Sequence, residues 1–382
     1  MKVLVLGSGN IGSIAVEDLA RCLPSANIVI ADKDLDRAKK AVERVGEDAV
    51  SSAQVDVSDR RQLLRILKDF DLAMGFLPGR FGYDLMEACI EAKKDLVDVS
   101  YTAENPLVLH AAAMKADVII VPDCGLAPGI SNFLVGHAIS ELDRAEAVHI
   151  MVGGLPEKPV PPLGYTVTWS PESLVDEYTR KAVIVRHGRR VEVDALSGVE
   201  TVDFPRVGKL EAFFTDGLRT LVHTVSDAED MWEKTLRYLG HAGKVKLLEA
   251  LGFLEEVKVK VDDVEVSPRK LTVKLLEQRL QKTKIKDIVV LKVEVCGVKN
   301  GKKICYAYHL LDKYDEERRI TAMARTTAYP MSIVAQLILN RKVKRKGVVP
   351  PEKLGIDGEV FKLFLDELER RGIKINEDKI TG

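Results

Sequence analysis

Aromatic side chains are scarce in this sequence, at 5% of 382 residues, so aliphatic residues must build the core. The chain is long enough for two domains that each bury one. Charge of one sign is not in excess either: 57 Lys and Arg against 58 Asp and Glu leave a formal charge of −1. Nothing in that balance suggests a basic face, so nucleic acid is not an expected partner. Cysteine is sparse, and Cys22, Cys89, Cys124, Cys296 and Cys305 form no C-x-x-C pair. They read as reduced thiols in a cytoplasmic protein. The seven histidines show no H-x-x-x-H spacing and no Cys/His cluster, so no metal site is expected. Long apolar runs are missing too. Glycines interrupt "MKVLVLGSGNIG", and no small-residue cleavage site follows, so neither a membrane span nor a signal peptide is expected. What is plentiful is aliphatic residues together with Lys and Glu, a balance met in heat-adapted proteins.

The first 120 residues alternate regularly. "KVLVLG", "ANIVIAD", "SAQVDV", "DLAMGFLP", "DLVDVSY" and "DVIIVPD" read as buried strands. "NIGSIAVEDLARCL", "LDRAKKAVERVG", "RRQLLRILKDF", "YDLMEACIEAKK" and "NPLVLHAAAMKA" between them have helical spacing. Such alternation predicts an α/β domain with a doubly wound parallel sheet. Its first turn reads Gly7-Ser8-Gly9-Asn10-Ile11-Gly12, a G-x-G-x-x-G placed directly after a strand and opening a helix. Gly7 permits the tight turn, Gly9 lets a pyrophosphate approach backbone, and Gly12 lets the helix pack close to the sheet. Asp32, at the end of the second strand, suits the adenosine ribose hydroxyls and repels a 2′-phosphate. NAD is therefore the expected cofactor, although Lys33 stands beside that acid. Three further strand ends reach the same carboxyl edge, where ligands of such sheets bind: Asp56-Val57, Phe76-Leu77-Pro78 and Ser100-Tyr101.

After "AEAVHIMVGGLPEKP" the pattern lengthens and loses regularity. "GYTVTWS", "KAVIVRHGRRVEVDAL", "EVKVKVDDVEVS", "DIVVLKVEVCG" and "KKICYAYHLLDKYD" read as strands, with "SPRKLTVKLLEQRLQ" as a helix. They predict a second, α+β domain with a mixed, largely antiparallel sheet. The expected division is 1–122 for the cofactor domain, 123–320 for a substrate and dimerisation domain, and 321–382 for C-terminal helices, the first packing back on the cofactor domain. A homodimer is expected. Catalysis is expected in the cleft between a cofactor domain and its companion.

The segments "GSGNIG", "VDVSY", "CGLAPGISN", "GGLP", "YTVTWSPESLVDEY", "FFTDGLRTL", "TLRYLGH" and "ARTTAYP", in that order, give the chain a resemblance to the saccharopine dehydrogenase-like family. Within it the chain is most similar to the lysine 6-dehydrogenases. The resemblance implies a Rossmann domain, a nicotinamide cofactor and a small amino-acid substrate. It also implies substrate-site roles for Tyr101, Val152, Gly153, Trp169, Thr235 and Arg237. One departure bears on the substrate: saccharopine reductases carry G-L-D-P-G where this chain has Gly125-Leu126-Ala127-Pro128-Gly129.

The implied reaction is oxidative deamination of L-lysine at its 6-amino group. A free lysine amine has a pKa near 10.4 and must be neutral before a hydride leaves the carbon that bears it. Tyr101, Asp123 and His223 are the candidates to take that proton or position water. Arg237 and Arg219, followed by Arg325, are the candidates to bind the substrate carboxylate, because a guanidinium offers a planar two-pronged donor. A saccharopine reductase, a carboxyspermidine-type dehydrogenase and a non-catalytic NAD-binding sensor are the alternative readings.

Overall fold

The computed structural model describes residues 1–46, 48–280 and 285–381. Its contacts divide the chain into two compact units, one formed by 1–143 with 324–375, the other by 144–323 with 376–382.

In the first unit the apolar runs pair as predicted, into a parallel sheet. Its order is Gly347–Val348, Ile119–Val121, Asp95–Asp98, Leu72–Gly75, Lys2–Leu6, Asn27–Asp32, Val50–Gln54. Every pairing in it is parallel. Strands this short and this apolar suit a sheet covered on both faces. Leu4, Leu6, Leu63, Leu67, Leu85 and Leu96 meet in one of the clusters between sheet and helices. The helix Leu35–Val45 shows how local chemistry sets the boundaries. Asp34 accepts from the amides of Asp36 and Arg37 at its start, and Gly46 closes it with φ +68°.

The chain does not leave this unit at residue 122. The helix Ile130–Ser140 stays with it, packed against Pro351–Gly355 so closely that a Cβ on Gly136 would lie 2.1 Å from the Glu352 carbonyl oxygen. Phe133 stacks on Phe364 at 3.8 Å, and Asn132 Nδ2 donates to Glu352 Oε2 at 3.1 Å. The C-terminal segment is not purely helical, since Gly347–Val348 adds a strand to this sheet and Ile375–Thr381 adds one to the other.

The described residues of the second unit hold a nine-stranded mixed sheet. Asp230–Tyr238 runs parallel to Arg144–Pro156, which pairs antiparallel with Asp287–Lys299. Two expectations need correction here. "GYTVTWS" is not a strand. Tyr165 and Val167 are buried, but their amides bond to Val160 and Leu280 one at a time, with no neighbouring strand to continue a ladder. Nor are all five cysteines reduced: Cys296 and Cys305 face each other across an antiparallel pair and are joined by a disulfide. They lie nine positions apart along a hairpin, a spacing with no motif to reveal it. The helix predicted through Gln281 spans Pro268–Leu280; Gln281 itself lies outside the described residues. Among the described residues no helix is long and apolar enough to cross a membrane.

Candidate active site

The glycine loop of the first unit is built by close approach. Gly7 has φ +105°, and a Cβ there would lie 2.4 Å from the Phe76 carbonyl oxygen; one on Gly12 would lie 2.1 Å from that of Gly7. Gly9 is different. A Cβ there would meet no protein atom within 4 Å, so its position opens onto free space at the start of the helix Asn10–Cys22, which has no side-chain cap. Unpaired amides at an open helix N-terminus suit a phosphate. Ser8 is buried, Asn10 exposed and Ile11 half-buried beside this opening.

Asp32 ends the strand Asn27–Asp32. Its Oδ2 accepts from the Ser8 amide at 2.9 Å and the Ser8 hydroxyl at 2.8 Å, and its Oδ1 from the Asp34 amide at 3.1 Å. Burial pushes this carboxyl up, but the Ser8 and Asp34 hydrogen bonds outweigh it and hold the pKa below the ordinary value. The group is thus a fixed negative charge, and each of its oxygens has lone pairs for more than one bond. Lys33 is exposed beside it. Asp56 is exposed and accepts from the Ser58 hydroxyl and amide, with Val57 half-buried next to it. Phe76, Leu77 and Pro78 are half-buried after Leu72–Gly75, and a Cβ on Gly79 would lie 2.2 Å from the Tyr101 carbonyl oxygen. Ser100 and Asp123 are buried at the next strand ends. The parallel sheet therefore gathers every residue predicted for its carboxyl edge.

That edge also holds a carboxyl the sequence did not single out. Asp98 is fully buried and accepts from the Ser100 amide and hydroxyl. Burial pushes it up to about 8, against the Ser100 bonds, with Asp123 adding to the rise. An acid whose pKa is raised by folding binds more protons folded than unfolded. Its stabilising contribution is complete below the ordinary carboxylate value and is lost as pH rises toward about 8. Between about pH 5 and about 8, wild-type stability in urea is expected to fall relative to Asp98→Asn by up to about 1.4 kcal/mol per pH unit. Parallel stability profiles would show that Asp98 is ionised throughout.

In the second unit, Val152 on Arg144–Pro156 lies beside Thr235 on Asp230–Tyr238, and a Cβ on Gly153 would lie 2.7 Å from the Leu236 carbonyl oxygen. Arg237 is 3% exposed, so it is not a surface cation. Its Nη2 donates to Glu177 Oε2 at 3.0 Å, Nη1 to the Leu236 carbonyl at 3.0 Å and Nε to Tyr178 Oη at 3.4 Å, while the guanidinium lies 4.5 Å from the Tyr165 ring centre. A carboxylate partner predicted for Arg237 is therefore already supplied, by Glu177. Tyr178 Oη lies 2.8 Å from His241 Nε2, and His241 Nδ1 lies 2.9 Å from the Leu163 carbonyl oxygen. Only a donor can face that carbonyl, so Nδ1 carries the hydrogen and Nε2 accepts from Tyr178. Burial and then Arg237 push His241 down to about 3, which keeps it neutral. Trp169 Nε1 donates to Tyr165 Oη at 2.9 Å. Arg219, half-buried, lies 3.8 Å from Asp216, and Arg325 donates to the Arg371 carbonyl within the first unit. His223 is exposed on the short helix Leu221–Thr224, its pKa lowered by partial burial and Arg190.

The family models that match the chain meet between residues 121 and 125, ahead of the boundary between the two compact units at 143. The model of the saccharopine dehydrogenase NADP binding domain matches residues 3–121, and that of the saccharopine dehydrogenase C-terminal domain matches 125–373. The chain belongs to the saccharopine dehydrogenase family. Saccharopine dehydrogenase [NADP(+), L-glutamate-forming] of Schizosaccharomyces pombe is 24% identical over 99% of this chain and 99% of its own length. Carboxyaminopropylagmatine dehydrogenase of Synechocystis is 22% identical over 95% of each. Alpha-aminoadipic semialdehyde synthase of Arabidopsis thaliana is 24% identical over 98% of this chain, which spans only 44% of that longer protein. The structure of apo saccharopine dehydrogenase (L-Glu forming) from Saccharomyces cerevisiae shares the fold, with a TM-score of 0.80, 21% identity and 99% of each chain covered.

As a saccharopine dehydrogenase-family enzyme, the chain is a dehydrogenase with a nicotinamide-nucleotide binding domain. The residues missed in the second unit, Tyr165, Glu177, Tyr178, Thr215, Glu233 and His241, all lie inside or just beside segments that carry the family resemblance. A signal for one of them was present. Glu233, Thr235 and Arg237 alternate along one strand, so they share a face, and three polar residues on one face of a buried strand mark a built polar site.

Proposed function

We propose that this enzyme prefers NAD and oxidises L-lysine at the carbon bearing the 6-amino group, water then hydrolysing the iminium to the 6-semialdehyde and ammonium. The observation that carries the lysine reading is the turn Gly125–Gly129. Its Gly125 amide bonds to the Pro128 carbonyl at 3.0 Å, and Ala127 and Pro128 are its half-exposed members. Ala127 has no carboxylate to offer a longer substrate where saccharopine reductases carry an acid. NAD preference rests on the ionised Asp32, which leaves a 2′-phosphate facing a like charge.

The Gly7–Gly12 loop and the amides that open the helix Asn10–Cys22 hold the pyrophosphate, and Asp32 accepts from the ribose. The bound dinucleotide supplies a hydride acceptor. The protein's part is to hold the amine neutral and to move its proton. Tyr101 and Asp123, at the sheet edge, take that role ahead of the exposed His223. Arg219 takes the substrate carboxylate: its distance to Asp216 is 3.8 Å, whereas Arg237 is bonded to Glu177 at 3.0 Å. Trp169, with Val152 and Gly153, borders the aliphatic stem.

The test is reduced-cofactor formation with lysine, saccharopine and carboxyalkyl polyamines, each with NAD⁺ and NADP⁺, with ammonium measured in parallel. Lysine-dependent turnover with stoichiometric ammonium is expected. Saccharopine-dependent turnover without ammonium would establish the second reading, which the names of the relatives favour. Like charges a few ångströms apart near a surface cost about 1–4 kcal/mol, so NAD⁺ is expected to be favoured roughly tenfold or more in kcat/KM. Asp32→Ser is expected to shrink that ratio. Equal use of both cofactors by the wild type would overturn the preference.

A further inference from the structure

Four side-chain oxygens of the second unit form an unbroken row. Glu233 Oε2 lies 2.6 Å from Thr215 Oγ1, which lies 2.8 Å from Thr235 Oγ1, which lies 2.6 Å from Glu177 Oε1. Each contact is a hydrogen-bond distance between oxygens, and a hydrogen must sit in each, because bare lone pairs that close repel. The row has three links. Each threonine hydroxyl brings one hydrogen, and an ionised carboxylate brings none. The third hydrogen therefore belongs to one of the two glutamates. Glu177 has the Arg237 guanidinium at 3.0 Å from its other oxygen, a cation to pair with its carboxylate. Glu233 is 3% exposed and, among the described residues, makes no ion pair.

We propose that Glu233, Thr215, Thr235 and Glu177 form a proton relay that holds one exchangeable proton on Glu233 and delivers it to Glu177. Delivery shifts three hydrogens by one link each. Glu233 gives its hydrogen to Thr215 Oγ1, Thr215 gives its own to Thr235 Oγ1, and Thr235 gives its own to Glu177 Oε1. Both hydroxyls stay neutral, the negative charge passes from Glu177 to Glu233, and no hydrogen is gained or lost. The inner end is sealed, since a Cβ on Gly217 would lie 2.3 Å from the Glu233 carboxyl. The outer end has an opening, for the Glu177 side chain is 13% exposed. The charged and titratable groups around the row include, among the described residues, Arg237 on the strand of Glu233 and Thr235, Tyr178 beside Glu177 with His241 bonded to it, Tyr165 against Arg237, and Asp216 beside Thr215, the last flanked by Arg180 and Arg219. Burial pushes the Glu233 carboxyl up to about 8; the Thr215 bond and Arg237 pull it down, while Glu177 and Asp216 add to the rise. Oxidation of an amine and reduction of an imine both move a proton on or off nitrogen. The relay thus goes beyond the substrate assignment and does not depend on lysine.

The test uses the full chain without ligand, so its outcome is independent of turnover. Infrared spectra of protein labelled with carbon-13 in the glutamate side-chain carboxyl separate Glu233 from the buried Asp98. A protonated glutamate band is expected at neutral pH, absent in Glu233→Gln and lost on alkaline titration. Thr235→Val then decides between a relay and an isolated buried acid. Cutting the row there frees the Thr215 hydrogen to donate to Glu233, which stabilises the carboxylate, and the titration midpoint is expected to fall by about one pH unit. Thr215→Val removes that donor, and its midpoint is expected at or above the wild-type value. Thr235→Ala makes the same cut should the valine variant not fold, and Thr235→Ser, which keeps the hydroxyl, is expected to retain the wild-type midpoint. No protonated glutamate band at neutral pH, or a midpoint in the Thr235 cuts equal to or above wild type, would overturn the proposal.

Discussion

Replacing Arg237 by leucine is expected to cost the folded protein about 3–5 kcal/mol, because it strands Glu177 without its cation in a buried setting. The cost arises from what remains rather than from what is removed. Glu177 Oε2 loses the Nη2 donor at 3.0 Å, Tyr178 loses the Nε donor, and the Tyr165 ring loses the guanidinium above it. If that is the cause, removing the second charge should restore stability. Glu177→Gln combined with Arg237→Leu is expected to recover half or more of the loss, since the amide oxygen of the introduced glutamine can still accept from Thr235 and needs no cation. Urea unfolding of the two single variants and the double variant measures this directly. A single-variant cost below about 1 kcal/mol would mean that the pair behaves as an exposed ion pair.

The same residue marks the limit of what the sequence conveys. Arg237 stood out as a candidate because its motif is distinctive, but its partner did not. Glu177 lies sixty residues earlier on a different element, and no local spacing connects the two. The cofactor loop is the opposite case. The G-x-G-x-x-G turn, the acid at the end of the second strand and the row of strand ends are all local patterns, and the parallel sheet brings local patterns to one edge without further information. Asp98 was hidden for a third reason. It stands in a short apolar strand, where an acid reads as a strand end, and its raised pKa comes from burial and from Asp123, which are tertiary facts. The Cys296–Cys305 pair was hidden likewise, because its register depends on where the hairpin turns. Period-2 alternation carried the antiparallel strands well but misread "GYTVTWS". That segment alternates because Tyr165 and Val167 fill a core beside Leu174 and Phe213, not because it joins a sheet.

Gly129→Ala is expected to cost more than about 3 kcal/mol, well above the cost of an ordinary left-handed glycine. Gly129 has φ +135°, outside the region an alanine adopts, and a Cβ there would lie 2.0 Å from the Gly125 carbonyl oxygen and 2.3 Å from its carbonyl carbon and nitrogen. All three atoms are backbone, so no side chain can turn aside to make room. The chain at Gly125 is itself pinned: its amide bonds to the Pro128 carbonyl at 3.0 Å, and its carbonyl accepts from the Ile130 amide at 2.9 Å. Relief therefore has to come from opening the turn, which breaks those bonds and the start of the helix Ile130–Ser140. Gly46→Ala is the control. It also has a positive φ, +68°, but a Cβ there meets nothing within 4 Å, so only the backbone preference is paid, about 1–2 kcal/mol. Urea midpoints of the two variants separate steric closure from conformational preference. If Gly129→Ala costs no more than Gly46→Ala, the turn is soft, and its glycines serve the approach of a ligand rather than the crossing of backbone over backbone.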